Sequence, residues 1–215
     1  MTRTSLPATA GEYAEEYTTQ ESALLAGLSR ETHLKTAKGV MLSGHMQGTF
    51  LQLFCQALKP HRILEIGTFT GYSAICMAKG LQDDGILHTI DIDEELHDMA
   101  NKYWEQAGVA QKIVQHTGDA MEIIPKLNET FDLVFIDADK VSYCDYFDRV
   151  IDKVVPGGFI LADNVLYDGE VLLPAEQQSK NARAIHQFNE KVKADGRVEH
   201  MLLGLRDGIM IARKK

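Results

Sequence analysis

The chain alternates between short apolar runs and amphipathic stretches. "RILEI" (62–66), "ILHTID" (86–91), "KIVQH" (112–116), "DLVFID" (132–137) and "GFILAD" (158–163) are of strand length and read as short buried strands. Between them the helical period predicts helices over 71–81, 94–107, 119–127 and 143–154. Strand–helix alternation at this spacing predicts a parallel sheet covered on both faces. One more helix is predicted over "SKNARAIHQFNEKVKAD", followed by two strands, "VEHMLLG" and "GIMIARK". The "LRDG" link between those strands is too short for a parallel crossover, so they should pair as an antiparallel hairpin. Ahead of the first strand, residues 10–28 and 44–58 read as two amphipathic helices.

Acidic residues gather where the strands end. Glu65 ends the first, Asp91 the second, Asp137 the fourth and Asp163 the fifth, while Asp119 follows the third. The stretch "DLVFIDADKVSY" (132–143) shows the pattern best: an apolar strand stops abruptly at Asp137, Asp139 and Lys140. Either the strand has reached the surface, or these charges meet a ligand. Ligands in open α/β sheets bind beyond the carboxyl ends of the strands, which is where the series falls.

Composition narrows the options. A chain of 215 residues with 45% hydrophobic and 25% charged residues suits one globular domain with a sizeable core. No apolar run is long enough to span a bilayer, and the first residues lack the apolar core of a secretory signal. Cys55, Cys76 and Cys144 are widely spaced within apolar or amphipathic stretches, which reads as reduced cysteine in a cytoplasmic protein. A net charge of −9 without a basic run argues against nucleic acid or an anionic membrane as partner.

The turn after the first strand, "EIGTFTG" (65–71), departs from a dinucleotide fingerprint. Phe69 occupies the place of the second glycine, where backbone would approach a pyrophosphate. The turn suits a nucleoside without a pyrophosphate, and Asp91 at the next strand end is placed to accept hydrogen bonds from ribose hydroxyls.

"LEIGTFTGYSA" (64–74), "DADKVSY" (137–143), "PGGFILADNVLYDGEV" (156–171) and "DGIMIARK" (207–214) together resemble the class I S-adenosylmethionine-dependent methyltransferases. More narrowly, the chain is similar to the cation-dependent O-methyltransferases of the caffeoyl-CoA and catechol type. The resemblance implies a Rossmann-like α/β fold, with a seven-stranded, mostly parallel sheet whose last strand is antiparallel. It implies a single O-methyltransferase domain over 1–215, in which residues 1–58 supply helices over the cofactor and substrate site and 59–215 form the sheet core. It also implies that Glu65, Gly67, Thr68 and Ser73 surround the methionine part of S-adenosylmethionine, that Asp91 holds the ribose, and that Ala120 borders the adenine. Asp139 would reach the cofactor's amino group, with Asp137 beside it, and Met41 and Ser43 would close over the cofactor from the N-terminal side. Similar proteins are homodimers.

Within that family frame Asp137 and Asp163 end adjacent strands, so their carboxylates can converge, and Asn164 adds a neutral oxygen. Such a hard oxygen set suits Mg²⁺ or Mn²⁺, and no Cys-x-x-Cys or His-x-x-x-His pair offers a softer one. Lys140 sits at a helix start, where a cation is disfavoured. A neighbouring dication would disfavour its ammonium form, fitting Lys140 to act as general base toward a phenol. Tyr143, three residues on, reads as packing or support.

The expected activity is metal-dependent methyl transfer from S-adenosylmethionine to a hydroxyl of a small catechol. The alternatives are a caffeoyl-CoA-type thioester as acceptor, an NAD(P)-dependent oxidoreductase, or a non-catalytic cofactor-binding protein. Coenzyme A is polyanionic, yet Glu12, Glu15, Glu16, Glu21 and Glu31 face only Arg3 and Arg30 in residues 1–31. Asp168, Glu170 and Glu176 face only Lys180 in 165–180. That balance favours free catechols, and Tyr167 stands where the family often has tryptophan.

Overall fold

A computed structural model of the protein describes residues 8–37 and 39–215. Arg3 lies outside the described residues. The strands are β1 (Arg62–Ile66), β2 (Ile86–Asp91), β3 (Ile113–Thr117), β4 (Phe131–Ile136), β5 (Val154–Asp163), β6 (Val198–Leu203) and β7 (Ile209–Lys214). They form a seven-stranded sheet in the order β3-β2-β1-β4-β5-β7-β6. The pairs β1–β4, β2–β3 and β4–β5 are parallel, whereas β7 runs antiparallel to both β5 and β6. The fold class and the terminal hairpin are as the sequence implied.

The chain divides into two compact units, one made of the chain up to His61 with Thr68–Thr117, the other of Arg62–Gly67 with Gly118–Lys215. The first holds α1 (Ala8–Glu16), α2 (Ala23–Lys35), α3 (Gly44–Leu58), α4 (Tyr72–Ala78) and α5 (His97–Gln106) with β2 and β3. One amphipathic helix over 10–28 is not what forms. The segment breaks after Glu16, and a second helix starts where the Ser22 side chain caps the Leu25 amide. Leu25 and Leu28 then turn inward and the helix runs on to Lys35. Glu31 ties α2 to α5, accepting from Lys102 Nζ at 2.7 Å and Tyr103 Oη at 2.8 Å.

The second unit holds β1, β4, β5, β7 and β6 with α6 (Ala120–Ile123), α7 (Tyr143–Val150) and α8 (Lys180–Ala194). β4 is buried along nearly its whole length, as a parallel strand covered on both faces must be. β5 begins earlier than its apolar pattern suggests, at Val154, and carries Pro156-Gly157-Gly158 through a register shift opposite Phe131 and Leu133. Tyr143, Phe147 and Phe188 pack edge to face between α7 and α8. No described helix is long and apolar enough to cross a membrane.

Candidate active site

β1 delivers Glu65 and a sharp turn. Glu65 is fully buried, in register with Phe135 of β4. Gly67 has φ of 103°, and a Cβ there would collide with the Asp137 carbonyl, so only glycine fits this close approach. Phe69, in place of a second glycine, takes a left-handed φ of 48°.

The turn is gripped by Asp91. One oxygen, Oδ2, accepts from the Thr68 amide at 2.9 Å and the Phe69 amide at 2.8 Å, while Oδ1 accepts from the Asp93 amide at 3.0 Å. The Thr68 hydroxyl meets that of Thr89 on β2 at 2.5 Å. Asp91 therefore has a structural task that the sequence did not reveal. Its Oδ2 is committed to backbone, and the remaining capacity for an external hydroxyl lies on Oδ1.

The other cofactor candidates fall on fixed elements. Ser73 is buried in α4, Ser43 is buried ahead of α3, and Met41 is exposed in the helical turn Gly39–Met41. Ala120 is buried at the start of α6. Asp119, grouped with the strand-end acids in the sequence, caps that helix by accepting from the Met121 amide, an ordinary turn role.

In the second unit β4 and β5 are paired with Ile136 opposite Ala162, which brings the next residues, Asp137 and Asp163, to neighbouring positions. Lys140 Nζ lies 3.0 Å from Asp137 Oδ1 and donates to the Tyr143 hydroxyl at 2.8 Å. That hydroxyl is buried and reaches the Asp163 carbonyl at 3.0 Å. Burial, and then the Asp163 carboxylate, push the Asp137 carboxyl up to about 7, with Lys140 and Arg206 acting in the opposite direction. Burial also holds the Tyr143 phenol well above its usual range. Asp139 is exposed, and its two oxygens accept from Tyr146 Oη at 2.5 Å and Ser142 Oγ at 2.6 Å.

Asn164 follows Asp163 in a left-handed conformation, φ 57°, and its Nδ2 donates to Asp207 Oδ2 at 3.2 Å. Burial raises the Asp207 carboxyl above the ordinary range, while the Asp168 amide and Asn164 oppose the shift.

Among the described residues no three His, Cys, Asp or Glu side chains gather as a metal site. The set at the β4 and β5 ends is instead two carboxylates and one amide. Asp163 is buried, Asp137 keeps some exposure, and each atom that Asp137, Asp163 and Asn164 could offer as a ligand is a hard oxygen. That donor chemistry fits a hard divalent cation. Tyr143, placed by its i+3 spacing from Lys140 as packing or support, is in direct contact with the Lys140 nitrogen, whereas Asp207 lies 43 residues from Asn164 and the sequence gave no signal for it.

Comparison with known proteins matches residues 15–215 to the O-methyltransferase family. Caffeoyl-CoA O-methyltransferase 5 of Nicotiana tabacum is 34% identical over 196 residues, covering 86% of this chain and 82% of the relative. Among solved structures, the O-methyltransferase TomG of Streptomyces achromogenes, involved in tomaymycin synthesis and in complex with SAM, has a TM-score of 0.87 at 28% identity. The alignment covers 96% of each chain. An O-methyltransferase from Bacillus cereus in complex with SAH has a TM-score of 0.85 at 30% identity, covering 96% of this chain and 97% of that one.

Proposed function

This chain belongs to the S-adenosylmethionine-dependent O-methyltransferases of the caffeoyl-CoA O-methyltransferase family, and on that premise we propose that it methylates one hydroxyl of a small free catechol with the help of a divalent cation. The observation that carries this reading is the position of Lys140 Nζ, shared between Asp137 and the buried Tyr143 hydroxyl at the mouth of β4.

S-adenosylmethionine supplies the electrophilic methyl group. A cation such as Mg²⁺ or Mn²⁺ would be held by Asp137, Asp163 and Asn164, and would supply positive charge for the two oxygens of a catechol. Lys140 takes the proton of the reacting hydroxyl at Nζ. Tyr143 fixes the direction of that nitrogen, because its own hydroxyl is held by backbone carbonyls and its ring by Phe188. The chain's contribution is positioning and charge placement, and no covalent link to the protein is required. Glu65, Gly67, Thr68, Ser73, Asp91, Ala120 and Asp139 serve the cofactor in this reading, with Met41 and Ser43 contributed by the N-terminal segment of a 1–215 domain. A cytoplasmic homodimer is the form proposed.

The acceptor reading rests on charge. Asp168 and Glu170 follow Asn164 closely, with no cation until Lys180. The N-terminal segment repels a polyanion less than its sequence suggested, since Glu31 is matched by both Lys35 and Lys102. The thioester is the second reading, favoured by the caffeoyl-CoA O-methyltransferase names of the relatives. A panel of free catechols and caffeoyl-CoA, assayed for methyl transfer with and without Mg²⁺, separates the two. The oxidoreductase and non-catalytic alternatives give way to the family.

A further inference from the structure

Asn164 leaves the sheet in a left-handed conformation, and so do Tyr167 (φ 48°), Asp168 (φ 51°) and Gly169 (φ 81°) just beyond it. Asn and Asp reach this conformation more easily than other non-glycine residues, but a bulky one such as Tyr167 takes it only when its surroundings hold it there. The holding group is the turn between β6 and β7. The Val165 amide donates to the Gly208 carbonyl at 3.1 Å and the Leu166 amide to the Asp207 carbonyl at 2.9 Å. Gly208, at φ 84°, must be glycine, because a Cβ would sit 2.6 Å from Leu166 Cγ. At the centre, the Asp207 carboxylate divides its oxygens: Oδ1 accepts from the Asp168 amide at 2.6 Å, and Oδ2 accepts from Asn164 Nδ2 at 3.2 Å.

The chemistry of that second bond is directional. An ionised carboxylate offers only acceptors, so the group facing it must be the amide nitrogen of Asn164. The amide is planar, and its Oδ1 therefore points away from Asp207. Oδ1 is the one atom of this side chain able to ligate a cation.

We propose that Asp207 is a positioning residue that sets which end of the Asn164 amide is presented for metal binding and anchors the 167–169 turn to the same carboxylate. The inference rests on the metal reading of Asp137, Asp163 and Asn164.

An isosteric exchange isolates this role. In Asp207→Asn the new side chain has one acceptor. If its oxygen keeps the Asp168 amide, its NH₂ faces the Asn164 NH₂, and the conflict is relieved by turning the Asn164 amide over, with its nitrogen toward the metal side. Adding Asn164→Asp restores the match. The carboxylate introduced at position 164 accepts from the amide introduced at position 207 with one oxygen and offers the other to a cation.

The experiment is Mn²⁺ titration of the full chain followed by electron paramagnetic resonance, with calorimetric binding of S-adenosylhomocysteine and circular dichroism as fold controls. Removing a group that orients a metal ligand costs roughly 10–100-fold in metal affinity, and Asp207→Asn is expected in that range with S-adenosylhomocysteine affinity unchanged. The Asn164→Asp/Asp207→Asn variant is expected to recover Mn²⁺ binding to within about tenfold of the native chain, which a merely structural loss would not allow. A native chain that binds no Mn²⁺ overturns the metal reading itself. Native Mn²⁺ binding with Asp207→Asn left at native affinity, or a folded double variant without recovery, overturns the role of Asp207 alone. If Asp207→Asn does not fold, the double variant decides by the same criterion. Failure of both to fold assigns Asp207 to structure and also overturns the proposal.

Discussion

The Nζ of Lys140 donates to the hydroxyl of Tyr143 over 2.8 Å, one helical turn along the same segment, and the ring of Tyr143 lies under it with the centroid 4.9 Å away. Tyr143 is fully buried, whereas Lys140 keeps some exposure. A rigid phenol thus directs a flexible lysine. This pairing explains how a long side chain at a helix start holds one direction beside Asp137.

Lys140 is expected to be the group whose loss costs most in the chemical step. Lys140→Ala should lower kcat by ~10²–10⁴ if its nitrogen takes the substrate proton. Lys140→Arg should not recover it, because arginine stays protonated. Steady-state kinetics at saturating cofactor give the answer, and a fall of only a few fold demotes Lys140 to orientation.

Tyr143→Phe separates direction from base strength. It removes the hydrogen bond to Lys140, worth about 0.5–1.5 kcal/mol, together with those to the Ile136 and Asp163 carbonyls, and leaves the Lys140–Asp137 contact in place. A kcat lower by roughly tenfold is expected, with S-adenosylhomocysteine affinity unchanged. An unchanged kcat would show that the phenol only packs.

Asp91→Ala should weaken S-adenosylhomocysteine binding by ~1–3 kcal/mol through loss of charge-assisted hydrogen bonds. The same change releases the Thr68 and Phe69 amides, so the thermal midpoint should fall as well. Calorimetry showing native affinity removes Asp91 from the cofactor site.

Much of this arrangement was legible in the sequence because it is local. β1 and β2 have the bounds their apolar runs gave, and the parallel pairing of β4 with β5 follows from strand–helix alternation. The strand-end residues Asp137 and Asp163 come with it. The break between α1 and α2 was not legible: it holds no proline or glycine, and the apolar period continues past it, so only the Ser22 cap marks the restart. The β5 extension was hidden because Pro156-Gly157-Gly158 reads as a turn, whereas pairing with β4 tolerates it through a register shift. Contacts such as Asn164–Asp207 depend on tertiary closure, and periodicity carries no information about them.

Acid stability should report on the tie between α2 and α5. Lys102 first, then Lys35 and Tyr103, hold the Glu31 carboxyl at about 2, below its ordinary 4.5. A carboxyl whose folded value is depressed contributes stability above its unfolded value and loses it as pH falls through the folded one. The contribution should therefore be present above pH 4.5 and disappear toward pH 2. Thermal melts should show Glu31→Gln less stable than the native chain near neutrality and the two converging through that window. A constant difference across the window would contradict the assignment.

Cation-assisted methyl transfer to a free catechol is tested most directly by one measurement. The protein is stripped with EDTA, and labelled methyl transfer from S-adenosylmethionine to caffeate and to caffeoyl-CoA is followed with and without added Mg²⁺. Asp163→Ala and Asn164→Ala are run alongside. The expected result is no turnover after chelation, recovery with Mg²⁺ or Mn²⁺, a higher kcat/KM for caffeate than for the thioester, and inactive variants that still bind S-adenosylhomocysteine. Full activity in the chelated enzyme, or a clear preference for caffeoyl-CoA under the same Mg²⁺ and salt, would contradict it.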